Sequence, residues 1–222
     1  MLKTIGVVAA TGMLALAASV APAAAQDGAV RGKRAGDIVL GLGVIGVLPE
    51  SAGSVGMIGG TPDASNSATA QLDLTYFVTP NFALNLIAAT TRHELEVRNS
   101  AIGTVDLGRV WVLPPTLTVQ YHPLPGSRVS PYLGLGVNYT VFYGEGGRRN
   151  PAVSSVDVHN AWALALNAGV DVEITPNWLF NLDVKRLQFL EPDVRVNTAL
   201  GRINANAELN PWVIGASVRF RF

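Results

Sequence analysis

The stretch Trp212-Val213-Ile214-Gly215-Ala216-Ser217-Val218-Arg219-Phe220-Arg221-Phe222 decides the fold. Trp212, Ile214, Ala216, Val218, Phe220 and Phe222 share one parity; Val213, Gly215, Ser217, Arg219 and Arg221 share the other. Strand side chains alternate between two faces. The spacing therefore predicts a strand with one wholly apolar face and one that turns polar toward its end. A soluble sheet accounts for the alternation alone. It does not account for an apolar face that ends in aromatic residues at the last position. A strand with lipid on one side and a lumen on the other accounts for both.

The opposite end of the chain points the same way. Lys3 precedes an almost continuous apolar or small run from Ile5 to Val20, and Ala23-Ala24-Ala25 offers a small-residue cleavage site before Gln26. This is the layout of a cleaved export signal, residues 1–25, with a mature domain over 26–222. The run is short for a membrane anchor, and no basic cluster follows it directly. Cleavage removes only Lys3 from the 16 basic residues, leaving 15 against 16 acidic ones. A nucleic-acid binder would need a basic stripe, so that class is excluded. There are no cysteines. An exported chain without disulfides needs another source of stability, and a closed hydrogen-bonded barrel supplies one. No mature stretch reaches 18 uninterrupted apolar residues, so a membrane-embedded chain spans as strands.

Turn residues divide the mature chain into eight predicted strands, near 36–48, 68–79, 82–98, 109–121, 130–143, 160–174, 178–190 and 208–222. Short links at 79–81, 123–127 and 175–177 alternate with long ones at 49–67, 99–108, 144–159 and 191–207, rich in Gly, Asn, Ser and charge. Short periplasmic turns and long outer loops predict an all-β fold, an eight-stranded antiparallel transmembrane up-and-down barrel. Its place is the outer membrane of a Gram-negative bacterium, among outer-membrane lipids, with both termini in the periplasm. The segment 76–82 echoes 172–178, each a strand, a Thr-Pro-Asn turn and an aromatic restart. This reads as shared hairpin chemistry. Tyr76, Phe82, Tyr121, Trp178, Phe220 and Phe222 fall at the lower rim, and Trp111, Tyr143, Trp162 and Trp212 at the upper, as two interfacial girdles. A terminal Phe222 resembles the C-terminal signature of bacterial outer-membrane barrels, which implies recognition of this strand by the barrel assembly machinery.

Eight strands enclose room for side chains or one small ligand, not a wide pore. The inward parity of each strand places charge toward the periplasm and apolar groups toward the outside. Asp73, Asp171, Glu173 and Asp183 face Lys185, Arg219 and Arg221 in the lower lumen. Buried charges must pair. They form either a plug that closes the periplasmic end or ordinary interior salt bridges. Above them, Val39, Ile45, Ile87, Ala89, Val112, Phe142, Leu187, Phe189 and Val213 line an apolar funnel. Such a surface fits an apolar ligand; ordinary packing of a narrow interior is the other reading. Pro114-Pro115 lacks two backbone N–H groups where the wall needs them. It reads either as a lateral gate that lets an apolar ligand leave into the bilayer, or as a strand start or bulge near the rim.

Leu113-Pro114-Pro115-Thr116-Leu117, the run Pro131 to Thr140, the stretch Asn81 to His93 with Ala88-Ala89-Thr90, and Asn210-Pro211-Trp212 together resemble the outer membrane protein W (OmpW) family. The resemblance covers essentially the whole mature chain. It implies an eight-stranded barrel with an apolar pocket, a porin-like channel or receptor for passive uptake of small hydrophobic molecules, and no enzyme activity. Pro114 and Pro115 match the family's Leu-Pro-Pro element. The outer loops match only loosely.

No phosphate-binding loop, dinucleotide fingerprint, zinc-protease or nucleophile-elbow motif occurs, and no metal or cofactor is implied. Two other function classes compete. One is a lipid-modifying outer-membrane enzyme using His93 or His159 at the rim with Asp157 and Ser154 or Ser155. The other is a structural or surface-interaction barrel with an inert lumen. An apolar cavity in the upper lumen distinguishes the uptake reading from the structural one. Convergence of the two histidines on a serine hydroxyl would favour the enzyme.

Overall fold

The computed structural model describes residues 30–50, 52–55, 59–101, 103–146, 153–198 and 201–222. The predicted export signal lies outside them. The described residues form strands and no helix. In chain order these are β1 (Ile38–Leu48), β2 (Ala52–Val55), β3 (Thr61–Ala64), β4 (Ser67–Phe77) and β5 (Phe82–Ala89). Next come β6 (Thr91–Ser100), β7 (Gly103–Leu113), β8 (Thr116–Tyr121), β9 (Val129–Gly146) and β10 (Val153–Val158). The last are β11 (Ala161–Glu173), β12 (Trp178–Gln188), β13 (Asp193–Thr198), β14 (Gly201–Glu208) and β15 (Trp212–Arg221).

Eight of them close a barrel in the order β1-β4-β5-β8-β9-β11-β12-β15, and β15 returns to β1. Every neighbouring pair is antiparallel. Closure runs from Val39 opposite Arg221 to Leu48 opposite Trp212, so both ends of the barrel chain meet at one rim. Because the sheet closes on itself it has no free edge strand, and the paired residues of the wall satisfy their ladder bonds without water.

The barrel is apolar outside and charged inside. Leu42, Leu72, Leu133 and Trp162 are each about two-thirds exposed on the outer wall, while Arg219, Arg221 and Lys185 are 1% exposed or less inside. Leu72, Leu74 and Tyr76 of β4, Phe82, Leu84 and Leu86 of β5, and Leu117, Val119 and Tyr121 of β8 are all exposed on the outer face. At the lower girdle Phe82 packs on Tyr121, Trp178 on Phe220 and Phe220 on Phe222, with ring centroids 4.9–5.1 Å apart.

The two Thr-Pro-Asn turns are chemically alike. The N–H of Phe82 donates to the Thr79 hydroxyl at 3.0 Å, and that of Trp178 to the Thr175 hydroxyl at 3.1 Å. Asn81 then donates to the His122 carbonyl, and Asn177 to the Arg221 carbonyl, each binding its turn to the next strand.

The expected long outer loops are corrected by the structure, because much of them is strand. β6 and β7 continue the wall above β5 and β8, and β3 pairs with β6. β10, β13, β14 and β2 form a separate four-stranded sheet. Val156 and Val158 of β10 and Val196 of β13 are buried with Val97, Val105 and Val110 of the hairpin. Apolar residues at alternate positions in a polar background hold this extension over the barrel mouth.

Candidate functional site

The interior divides into a charged floor and an apolar upper cavity. In the floor, Arg219 of β15 donates to Asp73 of β4 at 2.7 Å and to Asp171 of β11 at 3.1 Å. Arg221 donates to Glu173 at 2.9 Å, and Lys185 pairs with Asp183 on the same strand. All seven charges expected in the lower lumen are buried there and paired. Gly41 makes room for this network, since a Cβ there would press on the Arg219 stem at 2.9 Å and on Asp73 at 3.0 Å.

The pattern reading overlooked that the chain before β1 completes the floor. Lys33 reaches Asp171 at 3.3 Å. The backbone N–H groups of Arg31 and Gly32 donate to Glu173. Arg221 donates to the Gly32 carbonyl at 2.7 Å, and Arg31 pairs with Asp37 at 2.7 Å. Gly32 permits the path, with φ +68° and no room for a Cβ, which would lie 3.0 Å from both the Pro125 carbonyl oxygen and the Gly126 Cα. The segment thus lies across the periplasmic mouth. Burial lowers the Lys33 pKa below its usual value, opposed by the nearby Asp171 carboxylate. His122 also joins the floor, fully buried between the rings of Phe77 and Tyr132. Burial lowers its pKa to about 4, with the Asp171 charge opposing.

Above the floor lies a narrow cavity of about 50 Å³. Val112, Phe142, Leu187 and Val213 line it, as expected of the funnel. Ile45 and Ala89 pack with Val47 and Val213, and Ile87 is buried opposite Thr116, but none of these three reaches the lining. Two expected funnel residues are corrected. Val39 points inward but at the wrong height: it sits opposite Arg221 and packs with Phe77, Ala83 and Leu179 at the periplasmic end. Phe189 points outward and is 66% exposed. Its φ of +61° ends the alternation of β12, so Leu190 turns inward and lines the cavity instead. Asn210 holds this reversal by accepting the Leu190 N–H at 3.3 Å.

The cavity abuts a discontinuity in the wall. The β5–β8 ladder ends at Ile87 opposite Thr116, and the β6–β7 ladder resumes at Thr91 opposite Val112. Ala88, Ala89 and Thr90 therefore have no ladder partners in Leu113, Pro114 and Pro115. The other side of the same strand is tighter. The Tyr139 N–H donates to the Pro115 carbonyl at 3.1 Å, and the Asn138 side chain donates to it at 3.2 Å. Successive residues turn their polar backbone groups to opposite edges. Pro115 faces β9, so Pro114 faces the gap. The Pro114 carbonyl accepts the Thr116 hydroxyl at 3.0 Å, and Pro114 itself lines the cavity.

The rim residues of the enzyme reading do not converge. His93 is held by the Ser65 carbonyl and the Thr91 hydroxyl, whereas exposed His159 lies against the Asp193 carbonyl. Ser155 accepts from Asn197, as does Asp157. The side chain of Ser154 lies outside the described residues. Among the described residues no cluster of His, Asp and Glu has the arrangement of a metal site.

This architecture has relatives. The chain is 39% identical over 180 residues to the outer-membrane protein y4mB of Sinorhizobium fredii, covering 80% of this chain and 76% of that one. It is 32% identical over 205 residues to outer membrane protein W of Escherichia coli K12, covering 88% and 93%. The crystal structure of outer membrane protein OprG from Pseudomonas aeruginosa superposes with a TM-score of 0.79 at 25% identity, covering 87% and 99%. These relatives are outer-membrane proteins. With the OmpW family model matching residues 34–222, over a closed eight-stranded barrel of the Gram-negative outer membrane, the chain belongs to the OmpW family.

Proposed function

We propose that the protein is a passive channel for small hydrophobic molecules, which enter the upper cavity from outside and leave sideways through the wall beside Pro114. One observation carries this reading: an almost wholly apolar cavity lies above a fully paired ionic floor and beside the one-sided break in the ladder. An apolar solute gains nothing from the charged floor, because entering it would strand paired charges. It loses little by moving from an apolar cavity into lipid. The wall break offers that path, since Pro114 supplies no N–H to hold β5–β6.

Uptake of n-octane into outer-membrane vesicles, with and without the protein, tests the reading. The protein accelerates uptake, and Val112→Asp, which puts a carboxylate into the lining, removes the acceleration. Replacing both Pro114 and Pro115 with Val, which can donate to the ladder, slows release. Equal uptake with and without a correctly folded barrel would overturn the proposal.

A further inference from the structure

The cavity lining is apolar except at three side chains, His93, Thr91 and Thr140. Their hydrogen bonds fix what they can offer a ligand. The Nδ1 of His93 lies 2.6 Å from the Ser65 carbonyl oxygen. A carbonyl only accepts, so Nδ1 carries the proton. The ring is 5% exposed and is held by this carbonyl and a hydroxyl, the setting of a neutral imidazole. Its Nε2 is then an acceptor, and the Thr91 hydroxyl at 2.9 Å donates to it. The alternative acceptor for that hydroxyl, the Val112 carbonyl, is at 3.5 Å. Thr140 spends its proton on Asn138 at 2.6 Å. Pro49, Pro114 and Pro211 in the lining carry no backbone N–H at all. The lining side chains therefore hold no free donor, and the hydroxyl oxygens keep acceptor lone pairs.

We propose that Thr91, oriented by His93, is a specificity-determining hydrogen-bond acceptor, and that the favoured ligands are hydrophobic molecules with one hydrogen-bond donor, such as medium-chain alcohols or phenols. This rests on the uptake reading above and deepens it. An alcohol buries its chain against the apolar lining and donates its proton to the Thr91 oxygen. An ether, ketone or carboxylate brings an acceptor to an acceptor and leaves its lone pairs without a partner when desolvated.

The test compares 1-octanol, methyl octyl ether and n-nonane in outer-membrane vesicles, taking for each the uptake that depends on the protein. The alcohol should exceed the ether about fivefold, the net effect of one neutral hydrogen bond. Thr91→Val combined with His93→Phe removes the Thr91 oxygen and the ring nitrogen that orients it, and should bring that ratio to about one. Equal uptake of alcohol and ether, or preference for the ether, overturns the inference while faster nonane uptake leaves the apolar pathway standing. A preference that survives in the double variant also overturns it. If none of the three, nonane included, moves faster with the protein, the pathway fails and this inference with it. Should the double variant not assemble, the comparison in the parent protein still decides.

Discussion

Replacing Arg219 with methionine keeps an aliphatic stem of similar length and removes the guanidinium. That group donates to Asp73 at 2.7 Å, Asp171 at 3.1 Å and Ser217 at 3.2 Å. Asp171 would keep Lys33 at 3.3 Å and Asn181 at 2.9 Å. Asp73 would keep only neutral donors, Thr75 and Asn85, both at 3.2 Å. Asp73 is 3% exposed, so its charge would be stranded. Breaking a buried pair in this way costs about 3–5 kcal/mol. Adding Asp73→Asn removes the stranded charge and should recover about 2 kcal/mol of that loss. By contrast Arg92→Met, at an outer pair whose Glu94 side chain is 75% exposed, should change stability by less than about 1 kcal/mol. Urea unfolding of the barrel in lipid vesicles, followed by tryptophan fluorescence, measures all three. If Arg219→Met stays within about 1 kcal/mol of the parent, or if Asp73→Asn deepens its loss, the ionic floor does not hold the barrel as argued.

Three further outcomes follow from particular contacts. A Cβ at Gly169 would collide with the hydroxyl of Tyr132, which also accepts from Asn181 at 3.0 Å, so Gly169→Ala should lower stability by about 1–3 kcal/mol in the same urea assay. Gly32→Val meets both a positive φ and the Gly126 backbone at 3.0 Å. It should lift the N-terminal segment, and acylation of the otherwise buried Lys33 by an activated ester should rise. His122 takes up its proton only near pH 4, whereas an unfolded histidine does so near 6.5. The unfolded chain therefore binds more protons between those values. This contribution to stability is intact above pH 6.5 and falls as the pH drops toward 4. Nitrogen chemical shifts should report a neutral His122 ring at pH 5.5, and a charged one there would contradict its placement.

Much of the barrel was legible because lipid outside and a narrow lumen inside impose opposite chemistry on alternate residues. Arg219 and Arg221 on the inward parity of the last strand identified the floor. The missed features share a cause, which is that period-2 alternation gives the face but not the height or the local break. Val39 has the right face, and only its pairing with Arg221 shows that it lies at the bottom. Phe189 sits in Leu187-Gln188-Phe189-Leu190, where apolar residues of both parities conceal a change of phase. The segment before β1 has no periodicity to read. Its four charges at Arg31, Lys33, Arg34 and Asp37, just ahead of an apolar strand, were the available signal. The outer strands were hidden by their polar composition, although Val194 and Val196, like Val156 and Val158, already alternate. The prolines marked the break in the wall, but which side it opens on follows only from the Tyr139–Pro115 hydrogen bond.

The most direct test of the central claim is to locate a bound apolar molecule. Crystals of the protein grown from lipid and soaked with 1-bromooctane would reveal the bromine by its anomalous signal. The bromine should lie inside the barrel, among Val112, Phe142, Leu187 and Val213, with occupancy that Val112→Asp removes. Bromine found only along the outer wall, beside Leu133 and Leu135, would contradict the apolar pathway.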